Sequence, residues 1–220
     1  MTSLKANRSP LTIRDRVRRS VGVLCLLVGA TVAVATAARA DDSTPQTVVA
    51  AFQDQLLATM KDGAGLGFDG RYQKLLPAMD RAFAFGQMTR VVIGSRWSKL
   101  SDADQQQLAG LFRQFSVSTY ASEFTGYDGE TFEIAGEHAQ GQLGTVVETR
   151  LVIKDAAPVT LSYLLRQTDQ GWKIVDVYLN GTISELARRR DEFTSVIRNQ
   201  GLDGLIALLK KKNEELARSG

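Results

Sequence analysis

Two polar side chains in the C-terminal third of the 220-residue chain have the spacing of an acid–base pair. Asp176 and Tyr178 lie two positions apart in the alternating run 172–179, so they share one face of a predicted strand. A carboxyl group and a phenol directed into an apolar cavity can exchange protons with a substrate, as in an isomerase. Because the sequence offers no second catalytic partner, we favour structural roles, in which Asp176 bonds a neighbouring group and Tyr178 packs.

The single histidine, His138, does not complete a catalytic or metal site. It lies in the predicted turn 136–141, where a lone histidine is usually exposed to solvent. Cys25 is the only cysteine and lies in the N-terminal segment, so an ordinary zinc site is not indicated. The chain also lacks nucleophile-elbow, Walker, zincin and dinucleotide-binding motifs. The sequence therefore predicts no metal, no cofactor and no enzyme.

Three consecutive arginines, Arg188, Arg189 and Arg190, are the other charged candidates. They could contact a phosphate headgroup or an acidic partner. However, Glu185 precedes Arg189 by four residues and Arg188 precedes Glu192 by four, so helix ion pairs explain much of the run. Three successive residues also cannot share one helix face. We favour a solvated face and keep the headgroup or partner contact as the alternative.

Residues 1–40 have the pattern of a cleaved signal peptide. Arginines between positions 14 and 19 precede the apolar run 21–38, and Ala38, Arg39 and Ala40 fit the A-x-A cleavage rule. The alternative is an uncleaved membrane anchor, for which a run of roughly 18 residues has marginal length. Cleavage predicts a mature chain that begins at Asp41, a single domain over 41–220, and a periplasmic location in a Gram-negative bacterium.

The leader also determines the apparent charge of the chain. The whole sequence has 27 basic and 24 acidic residues, of which the leader holds seven basic residues and one acidic residue. Cleavage leaves 20 basic and 23 acidic residues, a net charge of −3. The basic isoelectric point of the full sequence therefore does not indicate a nucleic-acid partner.

Hydrophobic periodicity divides the rest of the chain into helices, then strands, then helices. Glycines between positions 63 and 70 predict a linker, and Pro77 predicts an interrupted helix. The long fourth helix has a second apolar stripe that contains Val117, Tyr120 and Phe124, which predicts cover on more than one side, either by the packed core or by a ligand that the helix lines. The predicted helices span 45–61, 71–85 (broken), 87–93, 101–124 and 183–199, with a last helix from Leu202, and the predicted strands span 131–135, 145–154, 159–166 and 172–179.

This order of elements predicts an α+β fold, in which helices cover an antiparallel, curved, four-stranded sheet. Every predicted element has an apolar side. A sheet cupped under helices can enclose an apolar cavity for a small ligand, although a filled core fits the same pattern.

Segments spread over most of the chain resemble one protein family. They include 72–83, 93–97, 127–132, 171–177 and 199–205. These segments are similar to the toluene-tolerance family of periplasmic lipid carriers, the MlaC type, whose fold is of the NTF2-like or MlaC-like kind. The segments 79–83, 117–124, 165–169 and 177–181 are most similar to the hopanoid-biosynthesis-associated HpnM branch.

The resemblance implies a soluble periplasmic shuttle for phospholipid or a hopanoid-type lipid. Such a protein holds lipid tails between sheet and helices, and exchanges lipid with a membrane-bound ABC-transporter complex and an outer-membrane partner. The alternatives are an isomerase- or hydratase-type enzyme on the same fold, and an interaction module without ligand that docks through helix 185–199. From inward-facing positions we predict a lipid cavity lined by Met88, Val91, Val92, Leu111, Phe115, Leu151, Leu161, Tyr163, Leu165, Ile174 and Tyr178.

Overall fold

The computed structural model describes residues 43–219 of the chain. The predicted leader and its cleavage site lie outside this range. Within it, helices form both ends of the chain and antiparallel strands form the middle, which is the predicted α+β arrangement.

Side-chain caps fix the starts of two helices that precede the sheet. The Thr44 hydroxyl accepts a hydrogen bond from the Thr47 N–H at 3.2 Å, and the Thr47 hydroxyl oxygen accepts one from the Thr44 N–H at 2.8 Å. Ser101 Oγ accepts from the Asp104 N–H at 3.2 Å. The helices longer than three residues are α1 (Pro45–Lys61), α2 (Gly63–Ala82), α3 (Phe85–Ile93), a 3₁₀ helix (Gly94–Lys99), α4 (Asp102–Glu123) and α5 (Glu185–Ser219).

The glycine-rich segment after α1 is helical and not a linker, and Pro77 does not interrupt α2. The helix kinks only at Gly67, where φ is 60°. Buried Arg71 fixes this segment: its Nε donates to the Ala121 carbonyl at 2.7 Å, and its Nη1 donates to the Gly63 carbonyl at 3.1 Å. Hydrophobic periodicity did not predict this helical conformation, because the hydrogen bonds of Arg71 join the start of α2 to the end of α4.

The strands form a meander in which each strand pairs antiparallel with the next. The sheet has five strands where the sequence predicted four. The additional strand is only two residues long and pairs with the end of the fourth strand, so hydrophobic alternation could not signal it. The strands are β1 (Thr131–Ala139), β2 (Thr145–Val152), β3 (Val159–Thr168), β4 (Gly171–Leu179) and β5 (Ile183–Ser184).

His138 lies on β1 and not in the predicted turn. A bulge between Ile134 and Gly136 allows the pairing to continue, so His138 stands opposite Val146. Its Nδ1 lies 3.5 Å from Glu148 Oε1, and both side chains are about half exposed. An exposed pair of this kind contributes little to stability.

The helices cover one face of the sheet and form the main core against it. A buried polar contact fixes α1 in place: Gln53 Nε2 donates to Thr149 Oγ1 at 2.9 Å, and Thr149 donates to the Leu161 carbonyl at 2.7 Å. Gln53 Nε2 also lies 3.5 Å from the Tyr163 hydroxyl, and burial raises the pKa of Tyr163 to about 12. The phenol is therefore a neutral member of the core.

A small second cluster, which contains Val146, Leu164 and Val175, lies on the opposite face of the sheet. Of the helices between residues 43 and 219, none combines the length and the apolar character that a membrane span requires.

Candidate functional site

A cavity of about 490 Å³ opens between α4, one end of β3 and β4, and the first turn of α5. Its volume is in the range of about 300–1,000 Å³ that is usual for small-molecule sites. Most of its wall is aromatic or aliphatic, and its charged groups come mainly from the ends of α4 and α5. The lining residues are Met79, Phe83, Met88, Phe112, Phe115, Ser116, Thr119, Tyr120, Glu123, Phe124, Leu161, Asp176, Val177, Leu179, Ile183, Glu185, Leu186, Arg188 and Arg189.

Aromatic side chains of α4 form the apolar wall. Tyr120 stacks on Phe124 with ring centroids 5.5 Å apart, and it meets Phe52 edge-on at 5.5 Å. Burial raises the pKa of Tyr120 well above its ordinary value, so the phenol stays neutral. Phe115 and Phe112 extend this surface by about one and two turns, respectively, toward the N-terminus of the helix. The wall therefore favours an apolar ligand.

Charged side chains form the rim, and most of their charge is neutralised within the protein. Arg188 Nη2 lies 2.6 Å from Glu185 Oε2. The Arg189 guanidinium lies over the Phe115 ring at 4.5 Å and pairs with Glu192 at 3.4 Å. The rim therefore offers polar groups to a ligand without a concentrated field of one sign.

Glu123 is the exception at this rim. Within residues 43–219 its carboxylate has neither a hydrogen bond nor an ion pair. Partial burial and the neighbouring Glu185 carboxylate raise the pKa of Glu123, while Arg189 and Arg188 lower it. Its carboxylate is available to a ligand group at the cavity mouth.

Asp176 joins the end of the sheet to the start of α5. Its Oδ1 accepts hydrogen bonds from the Val177 N–H at 2.8 Å and the Leu186 N–H at 3.1 Å, and its Oδ2 accepts from the Ser184 hydroxyl at 2.6 Å. Burial raises the pKa of Asp176, although these three donors oppose the rise. The carboxyl group thus caps a helix, and both of its oxygens are already bonded.

The sequence model of the MlaC protein family matches residues 50–211, well over half of the chain. The chain belongs to the MlaC family.

One solved structure with a similar fold is the phospholipid-binding protein from Ralstonia solanacearum, determined in complex with a phospholipid. The two sequences are 25% identical, and the superposition has a TM-score of 0.71. It covers 80% of this chain and 99% of the other. The predicted MlaC-type fold, helices over an open antiparallel sheet, is confirmed.

Three of the predicted cavity residues of this MlaC-family chain line the observed cavity: Met88, Phe115 and Leu161. Of the arginine run, Arg188 and Arg189 reach its rim. Arg190 does not line the cavity, as expected because consecutive residues of a helix point in different directions. It lies beside Gly94 instead. A side-chain carbon placed on Gly94 would lie 3.4 Å from the Arg190 Nη2.

The remaining predicted cavity residues lie away from this space. Val91 is exposed, and Tyr178 packs against the small cluster on the opposite face of the sheet. The others are buried or half-buried in the packed interior: Val92, Leu111, Leu151, Tyr163, Leu165 and Ile174. Alternation predicts one face for Ile174 and Tyr178, but the pairing of β3 with β4 shifts register between Leu164 and Leu165 and places Tyr178 on the other face. For the other residues, alternation does not show which part of the inward face stays open, and the cavity occupies only the end of the sheet near Leu161.

Sequence reasoning did not assign Phe112, Tyr120 or Glu123 to the cavity. The second apolar stripe of α4 was the available signal for Tyr120, because it showed that this helix is covered on two sides. No comparable signal existed for Glu123, which reaches the rim only through the packing of α4 beside α5.

Proposed function

We propose that this MlaC-family chain is a periplasmic lipid-binding carrier that places an acyl or other apolar chain in the cavity between α4 and the sheet, with the polar headgroup at the rim. The observation that carries this proposal is the cavity's composition: an aromatic and aliphatic wall that opens at a charged rim. The phospholipid bound to the Ralstonia protein supports a lipid as the ligand.

Hydrophobic free energy alone is sufficient to hold such a ligand. Each methylene group moved from water into the cavity contributes about 0.8 kcal/mol. About ten buried methylene groups therefore provide roughly 8 kcal/mol before the costs of ordering and association. A carrier of this type needs no headgroup-specific pocket, which agrees with the absence of a polar ligand-binding motif from the sequence.

The remaining parts of the proposal come from the leader and the family resemblance. Cleavage of residues 1–40 delivers a single domain, 41–220, to the periplasm of a Gram-negative bacterium. The carrier then exchanges phospholipid or a hopanoid-type lipid with an ABC-transporter complex and an outer-membrane partner. The HpnM-like segments favour the hopanoid as a candidate ligand.

The acid–base alternative has less support. Both oxygens of the Asp176 carboxyl group are occupied by donors that fix the start of α5. Tyr178 does not line the cavity that Asp176 borders. The two side chains therefore do not form a pair around one substrate position.

The test is the lipid content of the purified protein, together with a variant that fills the cavity. Ser116 lines the cavity from α4, and Ser116→Trp places an indole where the apolar chain would lie. The indole takes the space of about three methylene groups of the ligand, so we expect lipid binding to weaken by about 2.4 kcal/mol, or roughly fiftyfold. Gln114→Trp, on the exposed side of the same helix, is the control and should bind normally.

Native mass spectrometry and analysis of an organic extract measure both the amount and the identity of bound lipid. We expect phospholipid or hopanoid in the wild type and the control, and strong depletion in Ser116→Trp. Wild-type protein with only the ligand-free mass would contradict the proposal. Equal lipid content in both tryptophan variants would place the ligand outside this cavity.

A further inference from the structure

A second cleft, of about 360 Å³, lies where α3 and the 3₁₀ helix meet the middle of α5. It shares no lining residue with the first cavity. Aliphatic side chains form its walls, and its only charged lining residues are both basic. The lining consists of Ile93, Arg96, Lys99, Leu100, Ile197, Gly201 and Leu202.

The kink in α5 creates this cleft. Gly201 has a φ of 71°, a left-handed conformation that L side chains rarely adopt, and the helix changes direction there. A side-chain carbon built on Gly201 would meet no atom within 4 Å, so this part of the cleft is open. Ile93 and Ile197 lie recessed in the walls, only 5% and 8% exposed. The cleft is therefore shaped to receive an apolar group.

The cations around the cleft lack acidic partners within residues 43–219, whereas five of the seven other cations of α5 have one and only Arg198 and Lys210 do not. Arg96, Lys99 and Arg190 are exposed, and the described residues provide no ion pair to any of them. Arg190 lies beside Gly94, the first residue of the 3₁₀ helix that also contributes Arg96 and Lys99. By contrast, Arg188, Arg189, Lys211, Lys212 and Arg218 of α5 each pair with a glutamate.

Acidic residues occur in the neighbouring sequence but do not neutralise this group. Asp191 and Asp203 lie on α5, and Asp102 and Asp104 begin α4. Within residues 43–219, none of the four lies in an ion pair. Asp104 instead bonds the Ser101 hydroxyl at 2.7 Å. The exposed cations at the cleft are thus free to pair with an external anion.

We propose that this cleft is a docking site for an acidic segment of a partner protein, which inserts an aliphatic side chain between Ile93 and Ile197 and pairs its carboxylates with Arg96, Lys99 and Arg190. Charge complementarity identifies the partner as acidic. The recessed walls favour a protein over a bilayer, because docking to a membrane uses protruding apolar side chains. An aliphatic anchor in a pocket with charged groups around it is a common form of protein recognition.

The experiment titrates the isotopically labelled, purified protein with three synthetic peptides and follows the methyl NMR signals of Ile93, Leu100, Ile197 and Leu202. The first probe has a central leucine between pairs of glutamates. The second replaces that leucine with glycine, and the third replaces the glutamates with lysines. We expect the acidic leucine peptide alone to shift the cleft methyl signals in a saturable way.

The double variant Arg96→Glu/Lys99→Glu should weaken this binding by roughly tenfold or more, because it replaces attraction by repulsion. Both side chains are exposed and unpaired, so the fold should persist. The matched control is Arg150→Glu/Lys154→Glu, which makes the same charge change on and beside β2 and should bind as the wild type does.

Three outcomes would overturn the proposal. The first is that no peptide shifts the cleft signals at millimolar concentration. The second is equal loss of binding in both double variants, since this would indicate a general charge effect. In the third, no peptide binds, and the wild-type protein sediments with vesicles of phosphatidylglycerol and phosphatidylcholine. The Arg96→Glu/Lys99→Glu variant does not sediment with them, whereas the control variant does. That result would assign the surface to an anionic membrane.

Discussion

Removal of the Asp176 carboxyl group tests whether this residue is a structural cap. In Asp176→Ala the Val177 and Leu186 N–H groups lose the acceptor that they share at 2.8 and 3.1 Å. The Ser184 hydroxyl can turn to another partner, but the buried Leu186 N–H and the partly buried Val177 N–H cannot. Each unsatisfied group costs about 1–3 kcal/mol, so we expect a total loss of about 3 kcal/mol. For a domain of this size, that loss lowers the Tm by about 6–12 °C.

Asp176→Asn separates the hydrogen bonds from the charge. The amide oxygen can still accept from both N–H groups, and the amide nitrogen can donate to Ser184 Oγ. We therefore expect a change of less than about 1 kcal/mol in the free energy of unfolding at neutral pH.

The pH dependence gives a second readout of the same carboxyl group. Because burial raises the pKa of Asp176 in the folded protein, the folded chain holds this proton more tightly than the unfolded chain does. Its stabilising contribution is complete below the ordinary pKa of an aspartate and is lost as the pH rises through the raised, folded-state value. Asp176→Asn should remove this dependence.

Urea unfolding of the wild type and both variants, at several pH values between the ordinary and the raised pKa, measures these effects. Asp169→Asn, in the exposed turn before β4, is the control for loss of a negative charge. An alanine variant as stable as the wild type would refute the capping role. So would an asparagine variant whose stability falls with rising pH as steeply as that of the wild type.

Two further substitutions test buried polar groups. Arg71→Met should lower the free energy of unfolding by about 3 kcal/mol, because the Gly63 and Ala121 carbonyls lose a buried donor. A loss below about 1 kcal/mol in urea unfolding would show that packing alone holds α2 in place. Asn213→Leu should raise the Tm by a few degrees, since the buried Asn213 Oδ1 has no hydrogen-bond partner among residues 43–219 and its removal ends a cost of about 1–3 kcal/mol. A lower Tm in a thermal scan would mean that the hydrogen bond that Asn213 Nδ2 donates to the Leu111 carbonyl, at 3.4 Å, outweighs this cost.

The sequence predicted the elements that periodicity and caps define. The helix Pro45–Lys61 has the predicted bounds, and β4 ends at Leu179 as predicted but begins one residue earlier, at Gly171. The errors occurred where a tertiary contact overrides local chemistry: Arg71 holds the glycine-rich start of α2 in a helix, and a bulge near Gly136 extends β1 past its predicted end. Neither the partner of a long side chain nor a change of register can be read from hydrophobic spacing.

The position of the cavity was harder to predict than the face on which it lies. The inward face of the sheet was correctly expected to be apolar, but that face also forms the closed core around Tyr163 and Leu165. The space remains open only at the end near Leu161, where the start of α5 and the end of α4 meet the sheet. The site therefore depends on how the helices pack, which a single sequence does not record.

The rim explains how one site could both hold and release an apolar ligand. A carrier needs a buried tail for affinity, but strong fixed contacts to the headgroup would slow transfer to a partner. Arg188 and Arg189 already have glutamate partners. A headgroup that binds them replaces one ion pair by a similar one, so the net gain in binding free energy is small. Of the charged rim residues, Glu123 is the one without such a partner within residues 43–219. Most of the affinity would then come from methylene groups in the aromatic cavity, and selectivity among headgroups would be weak except for groups that can donate a hydrogen bond to Glu123.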